Sequence, residues 1–254
     1  MKPKFKLGLS LFALGFLGVL TFLTLELPEA ALPEALALQP PFVIQLLLLV
    51  NPTLFLLLAV VVGTALHDKV NLSVPTLSAL LGIERPKDRF KFGRQLKCGM
   101  VLGLLAGTLM TGIALVFALV ISEELQRLES TVAPTWLVRL GYGGITEELL
   151  LRFGLMTGVV WAASKLTRKL NNTSYWVGIV LSAAVFALAH FPAVWRVLPQ
   201  PSALLLTYIF LGNTVGGLFF GWLYWKRGLE AACIAHMSAH LAMLGIAWLD
   251  GALA

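Results

Sequence analysis

Seven stretches of this chain are apolar for long enough to cross a bilayer, and that decides what it can fold into. A crossing takes about 20 apolar residues, and such runs occupy 7–25, 42–66, 98–121, 135–162, 175–195, 202–225 and 229–249. In hydrocarbon, backbone N–H and C=O groups must be satisfied within the protein, so each run is read as a helix. The expected fold is an all-α integral membrane protein: a bundle of about seven, or eight, transmembrane helices forming one domain over 1–254. Charge closes off the soluble alternative. Only 13% of the residues are charged, about half the roughly 25% that wets a globular surface.

The N-terminal Lys2, Lys4 and Lys6 before an apolar run imitate a signal peptide. The run at 7–25 is longer than the ~7–15 residues of a signal core, so it is expected to stay as the first span. Segment 26–41 is Pro-punctuated and acidic and reads as a loop. The longest connection is 67–97, whose Leu72–Leu81 part is expected to lie in the interface as a short helix before the basic ERPKDRFKFGRQLK run. Cys98 and Cys233 both fall in apolar segments and make no disulfide framework.

A net charge of +6 could suggest nucleic acid, but the basic residues sit in short clusters between apolar runs, so no nucleic-acid partner is expected. Their distribution alternates instead. Lys2, Lys4 and Lys6, the 67–97 connection, Lys165, Arg168 and Lys169, and Lys226 and Arg227 occupy one set of loops, whereas the opposite loops hold only Arg127 and Arg196. Because basic loops stay in the cytoplasm, the N-terminus is expected inside and the C-terminus outside, in the cell (plasma) membrane. All seven tryptophans fall near span ends, where an indole can be half wet.

Ionisable groups at membrane depth cost roughly 2.5–3.5 kcal/mol each on insertion scales and so mark function. Span four carries Glu147, Glu148 and Arg152, span five His190, and span seven His236 and His240; the remaining histidine, His67, stands at a loop edge beside Asp68. On an α-helix Glu148 and Arg152 share a face in the favourable acid-first order, while Glu147 points about 100° away. A structural Glu148–Arg152 pair would then leave Glu147 facing a cavity; the alternative is one neutralised packing network of all three. His236 and His240, four apart, could share a metal or a water, and Phe186 could wall the site beside His190. A carboxylate and imidazoles can deprotonate a water directly or through a divalent metal such as zinc, held by Glu147, His190 and His236. No Ser or Cys nucleophile motif and no phosphate-binding glycine loop accompanies them. Gly212-x-x-x-Gly216 and Gly217-x-x-x-Gly221 in span six read as a close-packing face.

Glu147-Glu148-x-x-x-Arg152, Phe186-x-x-x-His190 and His236-x-x-x-His240, in that order on three spans, resemble the motifs of the CAAX protease and bacteriocin-processing (CPBP, Abi-type) family, which includes the type II CAAX prenyl endopeptidases. The approach Gly217, Gly221, Trp225, Arg227-Gly228-Leu229 and Ala235-His236 is also similar. The resemblance covers about 135–245 and implies catalytic core helices over 135–249. It implies an intramembrane peptidase acting on a membrane-associated peptide or protein, by CAAX-type or leader-peptide processing. By it, Glu147 is the catalytic carboxylate, Glu148, His190, His236 and His240 complete the site, and Arg152 and Phe186 support it. The family's third motif usually ends in Asn or Asp where this chain has His240. Two other readings stand beside it: a catalytically silent relative serving as scaffold or immunity protein, and a proton-coupled transporter.

Reporter fusions placed at Ala254 and within 85–97 should report opposite sides of the membrane; matching sides would sink the inside-out alternation.

Overall fold

A computed structural model describes residues 2–25, 39–84, 91–131 and 134–253. The expected 26–41 loop, but for its last residues, and 85–90 of the basic run lie outside the described residues. The chain forms α1 (Pro3–Leu20, extended by a 3₁₀ turn, Thr21–Thr24), α2 (Pro41–Leu66), a short α3 (Pro75–Leu80), and α4 (Phe92–Thr131). There follow a composite α5 (Val138–Leu166), α6 (Asn172–Leu188), a short α7 (Phe191–Val197), α8 (Ala203–Arg227) and α9 (Leu229–Leu253). Seven helical stretches are long and apolar enough to cross a membrane. The protein is a multi-pass membrane bundle. Side chains such as Phe55, Leu58 and Leu119 point outward, as they do where lipid is the solvent.

Small residues set the helix positions. Gly99, Gly103 and Gly107 form a bare stripe on α4, and Ala231, Ala235 and Ala239 form its counterpart on α9. A Cβ on Gly103 would stand 2.7 Å from the Ala235 Cα, and one on Gly107 2.9 Å from that of Ala239. Lipid tails are as apolar as leucine, so such close backbone approach is what drives packing here. This stripe holds the helix that carries His236 and His240. At the end of the bundle shared by the N-terminus and the 67–84 segment, Gln95 is buried and donates to Arg227 O (2.9 Å) and Glu230 Oε2 (3.0 Å). Glu230 Oε1 accepts from Leu77 N–H (2.9 Å). The clamp fixes the α8–α9 corner at Gly228, whose φ of +95° suits a residue without a Cβ.

Several sequence-based expectations need correcting. Span three breaks at its expected end, Ile121 (φ −120°, ψ 32°), and a second helical segment continues beyond it to Thr131. The Leu72–Leu81 segment holds a short helix, but only over Pro75–Leu80, and Val70, Leu72, Val74 and Pro75 are buried against the bundle. Span five is two helices, because Pro192 lacks the N–H that would continue α6; the turn falls at Ala189–His190. The glycine pairs of span six divide. Gly217 and Gly221 pack on Ala183 and Ile179 of α6, whereas Gly212 meets nothing.

This division is testable. Gly217→Ala drives a Cβ to within 2.8 Å of the Ala183 backbone and should destabilise the protein by about 1–3 kcal/mol. Gly212→Ala should be neutral or gain up to ~1 kcal/mol of helix propensity. Thermal unfolding in detergent separates the two, and equal effects would refute this packing.

Candidate active site

The helix that carries the glutamates is wound unusually. Val138–Glu147 and Leu149–Met156 are π-helical, and the N–H of Thr157 reaches the Arg152 carbonyl, five residues back. The α geometry expected for span four is therefore replaced over most of its length. A π-helix is rare and needs outside support. The support is direct backbone contact: a Cβ on Gly18 of α1 would sit 2.6 Å from the Gly141 carbonyl, and Thr146 Oγ1 donates to Gly15 O at 2.7 Å. Gly141, Gly143 and Gly144 remove the side chains that would hold those neighbours off. With bonds closing five residues apart, Val138 and Gly143, and Tyr142 and Glu147, lie nearer to one face than α winding would allow. An α-helix would turn each of these pairs about 140° apart.

Glu148 and Arg152 are both fully buried, with Arg152 Nε 3.3 Å from Glu148 Oε2. The other Glu148 oxygen accepts from His236 Nδ1 at 2.8 Å. An ionised carboxylate can only accept, so Nδ1 carries the hydrogen, and in the neutral imidazole Nε2 presents its lone pair. That Nε2 lies 3.8 Å from Glu147 Oε2, beyond hydrogen-bond reach and within the span of a bridging water. The Arg152 guanidinium also lies over the rings of Phe186 and Phe220, 5.1 and 5.4 Å from their centroids, where the ring faces complement its charge. The same rings hold the imidazoles. Phe220 stacks on His236 at 4.6 Å, and Phe186 meets His190 edge-on at 4.9 Å.

His190 stands in the turn between α6 and α7, with Nδ1 2.8 Å from the Phe186 carbonyl. A carbonyl cannot donate, so His190 also leaves Nε2 free as an acceptor. His240 stacks on His236 at 4.9 Å, its Nε2 faces Gly143, and its buried Nδ1 meets no protein partner among the described residues. Glu147, His190, His236 and His240 line one cavity of about 140 Å³, with room for several waters. Glu148 and Arg152 lie behind its wall.

The cavity also gathers residues that sequence reasoning missed or left unassigned: Arg139, Tyr142 and Phe220, together with Asn213, which hydrogen-bonds its own helix at Ile209 O (2.8 Å). Tyr142 could not be found by α periodicity, because only the π winding turns it toward Glu147. The three glycines around it were the available signal. A metal held by Glu147, His190 and His236 is not supported by the arrangement of donors. Among the described residues no three His, Cys, Asp or Glu side chains are grouped to hold an ion.

Residues 129–242 match the family model described as Type II CAAX prenyl endopeptidase Rce1-like. No curated protein and no solved structure matches the chain. The matched stretch contains α5 to α8, most of α9 and every charged or histidine residue of the cavity.

Removing Arg152 strands Glu148 in a dry interior, which costs about 3–5 kcal/mol when a buried pair is broken. Arg152→Ala should therefore lower abundance and the detergent melting temperature, whereas Glu147→Gln, at the cavity surface, should leave both near wild type. Equal stability of the two variants would remove the division between the glutamates.

Proposed function

We propose, on the match of residues 129–242 to the type II CAAX prenyl endopeptidase Rce1-like family model, that the chain is an intramembrane endopeptidase in which Glu147 activates the attacking water. The observation that carries this reading is the 3.8 Å separation of Glu147 Oε2 from His236 Nε2, two acceptors facing each other across a cavity. A water between them donates one hydrogen to each, leaving its lone pair for a substrate carbonyl. As the C–O bond forms, the water proton passes to Glu147. The same carboxyl then gives it to the leaving amine as the C–N bond breaks. Hydrogen-bond donors for the developing oxyanion are the His240 imidazole and the Tyr142 hydroxyl, with His190 alongside. Glu148 acts through His236 by fixing its tautomer, and Arg152 acts through Glu148.

The position of the cavity bears on the substrate. It runs from mid-bundle toward the end that carries Pro134, opposite the end shared by the basic loops. With the basic loops in the cytoplasm, the scissile bond is presented from the outer face of the membrane. Of the two substrate classes, CAAX-type tails and leader peptides, an exported or membrane-anchored peptide fits that access. His240 at the family's usual Asn or Asp position supports a second reading, a folded but silent relative that binds membrane peptides without cutting them.

Purified protein in detergent or vesicles, given fluorescent single-span peptides, tests both. Wild type should cleave, Glu147→Gln should be slower by about 10²–10⁴-fold as for loss of a general base, and chelator should leave the rate unchanged. Cleavage that survives Glu147→Gln would overturn the assignment. A well-folded wild type that cuts none of the peptides would favour the silent relative.

A further inference from the structure

A second cavity, of about 400 Å³, opens at the end of the bundle shared by the N-terminus and the 67–84 segment. Lys69, Lys165, Arg168 and Lys169 line it with Trp161 and Ser164, and none of the described acidic residues does. Among the described residues no ion pair joins any of these four cations to a carboxylate. Asp68, next to Lys69 in sequence, is turned to Lys4 at 2.7 Å and lines a different cavity.

Basic residues are expected at this end, since they set the orientation of the bundle, and the dipole of α5 favours a cation at its last turn. Neither effect gathers four of them from two separate segments onto one cavity. Lys69 sits on a 3₁₀ turn (Asp68–Val70) in which Val70 is buried and its carbonyl accepts from the Tyr175 hydroxyl of α6 at 2.9 Å. The other three stand at the end of α5 and just after it, where the Lys169 carbonyl accepts from Thr167 Oγ1 (3.0 Å) and from Ser174 Oγ of α6 (3.2 Å). The start of α6 therefore pins both segments. Arg168 has φ +54°, a left-handed position past the helix end that a glycine would fill at less cost; the arginine keeps a cation there despite that cost.

Four like charges around one space repel one another, and a bound anion relieves the repulsion. In a bilayer the abundant anion at this depth is the phosphate of a lipid headgroup. Trp161 suits the headgroup level. Beside the cavity Leu166 is 85% exposed, and α6 turns Val177, Val180 and Leu181 outward, an apolar flank along which acyl chains can lie. We propose that this cavity holds the phosphate headgroup of an anionic phospholipid, clamped between the 67–84 segment, α5 and α6. Inorganic phosphate would meet the same cations but gain nothing from the flank.

Native mass spectrometry of the purified full chain tests this, with phosphatidylglycerol and phosphatidylcholine of identical acyl chains titrated separately. Wild type should bind phosphatidylglycerol about 10-fold more tightly or better. Arg168→Gly combined with Lys169→Gln should weaken that binding by about 10- to 30-fold, at roughly 5-fold per surface cation. Arg168→Gly alone should not lower the melting temperature, so its share of the loss is not a folding defect. Arg94→Gln with Lys97→Gln removes the same charge from exposed positions at the start of α4, at the same end of the bundle, and should cost less than about 3-fold. Equal affinity of wild type for the two lipids overturns the proposal. So does an equal loss in the two double variants, which would show a diffuse field and no site. Inorganic phosphate that raises the melting temperature as much as phosphatidylglycerol does, through the same residues, would assign the cavity to a free anion and overturn the lipid.

Discussion

The chain of contacts from Arg152 through Glu148 to His236 holds the candidate site together. Its members are buried in the bundle interior, where an unpaired charge is far more costly than at a wet surface. Each therefore constrains the next: the guanidinium is held by one carboxylate oxygen and two ring faces, and the other oxygen takes the imidazole Nδ1–H. The stability of the pair and the orientation of His236 are one requirement. The lone pair on Nε2 points into the cavity because the opposite nitrogen has no alternative partner.

That chain joins α5 to α9 between rings from α6 and α8, and glycine and alanine set the distances between helices. The α4 stripe at Gly99, Gly103 and Gly107 brings α9 in to backbone contact, and Gly217 brings α8 against α6. In a membrane, where the hydrophobic effect does not pull helices together, these contacts carry much of the association energy. The most consequential contact is that of α1 with α5. The bare backbone at Gly15 and Gly18 accepts Thr146 and lies on Gly141, and the helix so gripped is π-wound. The widened turn brings Tyr142 and Glu147 nearer to one face, and Val138, Tyr142, Gly143 and Glu147 together make the α5 wall of the cavity.

A site reached from one end of the bundle also needs an opening, and the break after α6 lies beside it. Pro192 stops the helix just past His190, so that imidazole projects from a turn whose Phe186 carbonyl fixes its nitrogen. A continuous helix would have kept His190 on a regular face. The break places it beside Phe186, the ring that also touches His236 and Arg152. One aromatic side chain thus links the buried charge pair to two of the three cavity histidines.

The amino-acid sequence by itself determined the number and approximate limits of the membrane helices, because the cost of leaving backbone or charge in hydrocarbon is local and can be read residue by residue. It also exposed Glu147, Glu148, Arg152, His190, His236 and His240 as polar groups in apolar runs, and the four-residue step that lets Glu148 meet Arg152. The order of the three motifs was sufficient to point to the family. What the tertiary structure alone decided is which faces meet. The π winding of α5 depends on Gly15 and Gly18, more than 120 residues away in sequence, and the tautomer of His236 depends on a carboxylate on another helix. The places of Arg139 and Tyr142 in the cavity follow from that winding. Helical periodicity describes a segment as though its neighbours were solvent; here the neighbours changed the period, so the cavity wall could not be read from the segment alone.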